Sequence, residues 1–180
     1  MLAPHVDVYM PWGEPLKDTA RFMDRVCQEA ALSGRNPTFS LSTRPILAAT
    51  EGEAWERARA ILDRVLINRG DAPAPQRQNV GSRRLLQAAT EAEVHDTCLW
   101  TSLAAATGAS GNSTALVGTP ETVAKAMLEY YKLGATSLLI RGYDPQPDAV
   151  QYGEELIPRV RGLVADHDAA SRAASVSEVP

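Results

Sequence analysis

The sequence predicts an α/β fold in which parallel strands alternate with helices. Three short runs rich in apolar and β-branched residues, 6–10, 38–48 and 135–141, are separated by longer stretches with helical apolar spacing. Strands that alternate with helices indicate parallel βαβ units. The composition agrees with a folded core, because 44% of the 180 residues are hydrophobic and only 22% are charged.

The strand assignments depend on residue alternation and on the positions of proline. The first run alternates polar and apolar residues and ends at Pro11. The second run contains Pro45, so we expect its end to be irregular. The third run carries the apolar sequence Leu138-Leu-Ile140, which is typical of a strand covered on both faces.

Three helices have clear start signals. Pro15 fits the first turn of an amphipathic helix. The segment Thr50-Glu-Gly-Glu53 has the capping-box pattern, and the helix that follows is expected to end at Gly70. Thr119 is the predicted N-cap of a third helix, which Gly134 should terminate.

The remaining segments have weaker signals. Short helices are predicted at 83–89 and 98–106, and loops at 71–79 and 107–113. The Gly and Ser residues of the second loop fit a mobile active-site lid.

The carboxyl-terminal region is predicted to be helical and then disordered. Helical segments near 149–163 should break or start anew at Pro158. The tail from Asp166 is rich in Ala, Ser and charged residues, so we expect it to be disordered. The predicted domain therefore spans 1–165, and 166–180 form the tail.

Charge and hydropathy narrow the functional class. The net charge of −4 and the pI near 5.4 argue against a nucleic-acid partner, which selects clustered Lys and Arg. No apolar run approaches the roughly 18 residues that span a bilayer, so we expect no membrane association. Residues 1–5 lack the regions of a signal peptide, and we therefore expect a cytoplasmic protein.

Cysteine and histidine spacing gives no indication of a metal site. Cys27 and Cys98 lie far apart and are expected to be buried free thiols. His5, His95 and His167 show no mutual ligand spacing, so no metal is predicted.

Candidate site residues follow each of the three predicted strands. The carboxyl ends of parallel strands converge on one rim, which brings Trp12, Arg44 and Tyr143 together. An indole, a guanidinium and a phenol fit a pocket that stacks an aromatic cofactor and holds an anionic group. Two structural alternatives remain open: Trp12 packs at the rim, and Arg44 pairs with Glu14 or Glu51.

Four segments, in this order, resemble the bacterial luciferase-like flavin monooxygenases, and most closely the alkanesulfonate monooxygenases. They are Asp7-Val-Tyr-Met-Pro-Trp-Gly-Glu-Pro15, Thr50-Glu-Gly-Glu-Ala-Trp55, Asn112-Ser-Thr-Ala-Leu-Val-Gly-Thr-Pro-Glu121 and Leu139-Ile-Arg-Gly-Tyr-Asp-Pro145. The resemblance covers the chain up to about Val164. It corresponds to the carboxyl-terminal half of the family only, from about the sixth strand onward.

This resemblance implies a partial TIM (β/α)8-type barrel of about the last three βα units. It also implies a monooxygenase that uses dioxygen and reduced FMN from a separate flavin reductase to oxygenate a small-molecule substrate. In the closest branch an alkanesulfonate is cleaved to an aldehyde and sulfite. We expect a truncated enzyme with weak or no activity in isolation, because three barrel strands leave unpaired edges and an apolar inner face.

Two further hypotheses are compatible with the resemblance. The chain is a non-catalytic fragment that assembles with a separate amino-terminal half or with itself, or it is a deazaflavin-dependent oxidoreductase, a class that the same superfamily contains.

The resemblance also assigns site residues. Trp12 and Tyr143 match family active-site residues, so Trp12 lines the pocket and Tyr143 hydrogen-bonds the oxygenated flavin or the substrate. Ser42 and Arg44 occupy the seventh-strand positions where alkanesulfonate enzymes have an arginine and a histidine. Ala109-Ser110 replaces the arginine of the mobile loop. These departures leave open whether the substrate is an alkanesulfonate, anchored through Arg44, or another substrate of the family.

Overall fold

The computed structural model describes residues 5–70, 79–111 and 114–177, and it confirms the α/β class. The strands form one sheet and are β1 (Val8–Tyr9), β2 (Thr38–Leu47), β3 (Val94–His95), β4 (Leu99–Trp100), β5 (Ala115–Gly118) and β6 (Ala135–Ile140). The helices are α1 (Leu16–Ala31), α2 (Glu51–Arg69), α3 (Val80–Glu91), α4 (Ser102–Thr107), α5 (Pro120–Lys132), α6 (Pro145–Gln151) and α7 (Ile157–Ser177).

Strand β2 organises the sheet because both of its edges are paired. β6 runs parallel to it, with Leu41 opposite Leu138. On the other edge β1 pairs in parallel near the start of β2, and β5 pairs in parallel near its end. β1, β2 and β6 are the three strands that the sequence predicts, and their arrangement is consistent with part of a TIM-like barrel.

The sheet is mixed, because β4 pairs antiparallel with β5 and β3 antiparallel with β4. The predicted helix at 98–106 is therefore wrong in its first part, where Leu99 lies opposite Leu116 and Trp100 opposite Ala115. The helix begins only at Ser102. Pairing with a distant strand overrides the local helical preference at this point.

The predicted helix starts are confirmed at two N-caps. Thr50 and Glu53 form the reciprocal bonds of a capping box at the start of α2. Thr119 accepts a bond from the backbone N–H of Thr122 at the start of α5. Glu51 joins the two helices, because its carboxylate accepts bonds from the hydroxyls of Thr119, the N-cap of α5, and Thr122 in its first turn. The predicted helix at 83–89 is confirmed as part of the longer α3.

The carboxyl-terminal region differs in part from the expectation. A π-helical turn, Tyr152–Leu156, leads directly into α7, so the chain does not break at Pro158, which lies in the first turn of this new helix. The described residues of the predicted tail, 166–177, continue α7. The helix is docked at this end, where the Tyr131 hydroxyl donates to Asp168 at 3.0 Å and the Tyr131 ring contacts His167. Loops were predicted at 71–79 and 107–113. Residues 71–78 of the first and 112–113 of the second lie outside the described residues.

Two groups of buried apolar side chains cover opposite sides of the carboxyl-terminal part of β2. Leu41 and Leu47 pack with α5, the π-helical turn and α7, whereas Ile46 packs with α2 and Trp100. Both predicted free thiols are confirmed as free, although Cys27 is only half-buried. Burial raises the pKa of the Cys98 thiol to about 12, so it remains protonated at neutral pH.

Helices cover one face of the three parallel strands only towards its carboxyl-terminal end, where Trp12 packs on α3 and Ile46 packs on α2. The register places Val8 with Thr38, Trp12 with Ser42 and Leu139 with Ser42 on this face. Val8 is 51% exposed and Leu139 48% exposed, and Met10, which alternates onto the same face, is 64% exposed. We call this surface the inner face, since it corresponds to the interior of a barrel.

A buried ion pair fixes the segment that follows β1. Glu14 is only 3% exposed, and both of its carboxylate oxygens accept bonds from Arg84 Nε, at 2.8 and 2.9 Å. The Arg84 guanidinium also lies over the Phe22 ring, 4.6 Å from its centroid. Burial raises the pKa of the Glu14 carboxyl, and the bonds from Arg84 oppose this rise. The pair therefore joins α3 to the start of α1.

Replacing Arg84 should leave the buried Glu14 carboxylate without its partner. We expect Arg84→Met to lower the free energy of unfolding at pH 7 by about 3 kcal/mol, measured by urea denaturation. The loss should shrink as the pH falls, because the unpaired carboxyl, whose pKa is raised, takes up a proton. Arg83→Met is the matched control, since Arg83 is exposed on the same helix and should change stability by less than about 0.5 kcal/mol. Equal stabilities of the two variants would contradict this account.

Candidate active site

The structure brings Arg44 and Tyr143 together at the carboxyl-terminal ends of β2 and β6. Arg44 is half-buried in β2, opposite Ala115 of β5. The Arg141 backbone N–H donates to the Thr43 carbonyl at 3.3 Å, so the chain leaves β6 alongside β2. The Arg44 guanidinium carbon consequently lies 5.1 Å from the centroid of the Tyr143 ring, which is a cation–π contact.

Both residues of this pair carry a buried donor without a partner. Arg44 Nε and the Tyr143 hydroxyl are buried and have no hydrogen-bond partner among the described residues. Burial raises the pKa of the Tyr143 phenol far above its ordinary value, and the Arg44 charge only partly offsets this. The phenol is therefore neutral at pH 7 and able to donate. Such unsatisfied groups are rare in proteins, and here they fit a ligand that accepts hydrogen bonds.

Trp12 and Ser42 form a second contact, between the β1 end and β2. Ser42 accepts a bond from the Gly13 backbone N–H at 2.8 Å, and its own N–H donates to the Pro11 carbonyl. The Trp12 ring packs with Leu85 and other residues of α3 and α4. This contact fits the alternative that Trp12 is a packing residue at the rim.

The carboxylates considered as partners of Arg44 have other partners. Glu14 pairs with Arg84, and Glu51 accepts bonds from α5. The hydrogen bonds from Thr122 and Thr119 lower the pKa of Glu51 despite some desolvation, so it is ionised at neutral pH. Arg44 instead lies over an aromatic ring, which leaves its charge available to a ligand.

Sequence reasoning missed two residues next to this site. The Asp148 carboxylate accepts bonds from the backbone N–H groups of Tyr143 and Asp144, and it pairs with Arg57 of α2. The available signal was an acidic residue in the first turn of the helix after the Arg141–Asp144 turn. Arg57 carried no such signal, because its partner is distant in sequence.

A groove between two helices lies away from these residues. It has a volume of about 870 Å³ between α1 and α3, with Glu14, Phe22 and Arg84 in its lining. None of the four predicted site residues lines it. Within the described ranges no group of acidic, His and Cys side chains is arranged to hold a metal ion. None of the helices described there has the length and hydropathy that a bilayer crossing requires.

The sequence profile of the luciferase-like monooxygenase family matches residues 1–137. This chain belongs to the luciferase-like monooxygenases. The matched range contains Trp12, Ser42 and Arg44, whereas Tyr143 and Asp148 lie beyond it.

Solved structures share the fold of this luciferase-like chain. Riboflavin lyase, solved with modified FMN and riboflavin, is 19% identical with a TM-score of 0.65, and the match covers 89% of this chain and 40% of that one. The EDTA monooxygenase of Chelativorans sp. BNC1 is 14% identical with a TM-score of 0.60, covering 89% and 41%. DmoA from Hyphomicrobium sulfonivorans is 15% identical with a TM-score of 0.64, covering 89% and 38%. The chain thus spans about two fifths of the length of these structures.

A pair of tyrosine variants tests whether the Tyr143 hydroxyl is unpartnered. Tyr143→Phe should leave the free energy of unfolding within about 0.5 kcal/mol of the parent or raise it, since no hydrogen bond is lost. Tyr152→Phe is the matched control, because the Tyr152 hydroxyl donates to the Pro45 carbonyl at 2.5 Å. Its loss should cost about 1 kcal/mol in denaturant unfolding. If Tyr143→Phe costs as much as Tyr152→Phe, the hydroxyl has a partner within the protein.

Proposed function

We propose that this chain forms the carboxyl-terminal part of the active site of a flavin-dependent monooxygenase that acts on a small anionic substrate. The observation that carries the proposal is the contact between Arg44 and Tyr143, in which two buried donors lack partners. The contact lies at the strand ends where barrel enzymes place their chemistry. An alkanesulfonate is the candidate substrate, since its anionic group accepts several hydrogen bonds.

Each residue of the pair has a separate role in this proposal. Arg44 binds the anionic group of the substrate, and the Tyr143 ring beneath it holds the guanidinium in place. The neutral Tyr143 hydroxyl donates to an oxygen of the substrate or the flavin. Ser42 lies on the inner face two residues before Arg44 and contributes to the same pocket in this proposal, and Trp12, whose ring also packs on α3 and α4, borders it through its bridge to Ser42.

The residues present fit a flavin in one respect. A flavin ring carries carbonyl oxygens that accept hydrogen bonds, and the two unpartnered donors supply such bonds. Reduced FMN with dioxygen supplies the oxygenating chemistry when bound. The proposal includes a separate flavin reductase as its source and a cytoplasmic location, with which the two free cysteines agree.

A deazaflavin-dependent oxidoreductase is the second candidate for the cofactor. The coenzyme F420-dependent tetrahydromethanopterin reductase of Methanopyrus kandleri shares the fold, at 16% identity and a TM-score of 0.53, over 88% of this chain and 47% of that one. The chain and its assembly with an amino-terminal barrel half can each be titrated anaerobically with reduced FMN and with reduced F420. Quenching of the tryptophan fluorescence then shows which of the two cofactors binds. Quenching by FMN alone supports the monooxygenase. Quenching by F420 alone supports the oxidoreductase.

Assembly with further barrel strands is a second proposal, and the inner face favours it. Val8, Met10 and Leu139 are about half exposed or more on this face. A cluster of exposed apolar side chains is typical of a protein–protein interface. We therefore expect that the amino-terminal strands of a luciferase-like barrel cover it and complete the pocket.

Coexpression with an amino-terminal barrel half tests the assembly, with size-exclusion chromatography as the readout. Coelution supports it, and a stable monomer that binds FMN by itself contradicts it. Failure of FMN and F420 to bind both the chain and the completed assembly would contradict the flavin proposal.

Removing the charge of Arg44 should weaken anion binding. We expect Arg44→Met to raise the Kd for an alkanesulfonate about 10- to 100-fold, because a hydrogen bond to a charged group contributes about 1.5–3 kcal/mol. Isothermal titration calorimetry measures this change, and sulfite release with FMN, a reductase and dioxygen measures turnover. Arg64→Met is the control, since Arg64 is exposed on α2. An unchanged Kd in Arg44→Met, or an equal loss in Arg64→Met, would contradict the role of Arg44.

A further inference from the structure

The turn that carries Tyr143 is held by one buried carboxylate. Asp148 is 2% exposed, and its Oδ2 accepts bonds from the backbone N–H groups of Tyr143 at 2.8 Å and Asp144 at 2.9 Å. Bonds from a backbone N–H to an ionised acceptor are stronger than neutral ones. Asp148 thus fixes the backbone at the residue whose ring contacts Arg44.

Arg57 connects this carboxylate to β2. One guanidinium nitrogen of Arg57 pairs with Asp148 Oδ1, and another donates to the Leu47 carbonyl at 3.0 Å. Leu47 is the last residue of β2, the strand that carries Arg44. Arg57 therefore bridges the end of β2 and the turn after β6, which are the two segments that meet at the candidate site.

Gly142 allows the carboxylate to approach the turn. A Cβ atom at this position would overlap the carboxylate and Cβ of Asp148. The clash involves a buried side chain held by three partners, so it cannot be relieved by a simple rotation. The sequence Arg141-Gly-Tyr143 thus combines a site residue with the glycine that its support requires.

We propose that Arg57 and Asp148 are positioning residues that hold Tyr143 against Arg44. The functional meaning of this role rests on the proposed anion site, although its geometry is independent of any ligand. Arg44 belongs to β2, and Tyr143 belongs to the turn after β6. The bond from the Arg141 N–H to the Thr43 carbonyl holds the end of β6 beside β2, and the Arg57 bridge adds a link from the Tyr143 backbone to Leu47.

Amide hydrogen exchange tests the geometry in the unmodified chain. The Tyr143 and Asp144 amides lie outside helices and strands, so they should exchange quickly unless Asp148 accepts their hydrogen bonds. We expect exchange at least about tenfold slower than in an unstructured chain. Exchange at the unstructured rate would overturn the proposal without any variant.

Variants test the positioning of the side chain. In protein labelled with 3-fluorotyrosine, Arg57→Met and Asp148→Asn should shift the Tyr143 fluorine resonance and weaken the protection of its amide, because the first variant removes the support of the acceptor and the second removes its charge. Arg57→Lys should partly restore both, because it keeps a charged donor. Arg64→Met, on the exposed face of the same helix, should change neither.

An unchanged Tyr143 resonance in Arg57→Met or Asp148→Asn would overturn the proposal. A variant that unfolds shifts all five tyrosine resonances. In that case the amide exchange of Tyr143 and Asp144 in the unmodified chain tests the proposal.

Failure of this proposal is distinguishable from failure of the proposed function. Neither readout needs a flavin or a substrate. The positioning role is therefore tested by the amide exchange of Tyr143 and Asp144 and by the Tyr143 fluorine resonance alone. If Arg57→Met displaces Tyr143 but Arg44→Met leaves the Kd for an alkanesulfonate unchanged, the positioning is correct and the anion site is wrong.

Discussion

The pairing of β2 on both edges is the constraint on which the rest of the structure depends. Because β1 and β6 lie along opposite edges of this strand, the segments that follow all three strands reach the same end of the sheet. Ser42 and Arg44 come from β2 itself, Trp12 from the segment after β1, and Tyr143 from the turn after β6. The register of one strand therefore decides which side chains are neighbours.

The proposed chemistry of the candidate site depends on two buried hydrogen-bond donors that have no acceptor. The Tyr152 hydroxyl and the Glu14 carboxylate are buried polar groups with hydrogen-bond partners. Four buried side-chain atoms in the described part of the chain lack a partner, namely Thr43 Oγ1, Arg44 Nε, Arg69 Nε and the Tyr143 hydroxyl, and two of them lie in the contact of Arg44 with Tyr143. Unsatisfied donors cost stability, and in the proposed site a ligand supplies the acceptor that these two donors lack.

Local signals in the sequence predicted the features that depend on local physics. The capping box at Thr50 and the N-cap at Thr119 were found because a cap and its partners lie within three residues. β4 was missed because Leu99-Trp100 becomes a strand only by pairing with β5. The Arg57 to Asp148 pair was missed for the same reason, since its members are separated by 91 residues. The contact of Arg44 with Tyr143 was expected only as a shared rim, and its cation–π geometry required the fold.

The most direct test of the central claim is a crystal structure of the chain, completed by its amino-terminal barrel half, with an alkanesulfonate bound. The account predicts sulfonate oxygens within hydrogen-bond distance of both Arg44 Nε and the Tyr143 hydroxyl. A sulfonate bound away from this pair, or protein side chains that satisfy both donors in the completed barrel, would contradict it.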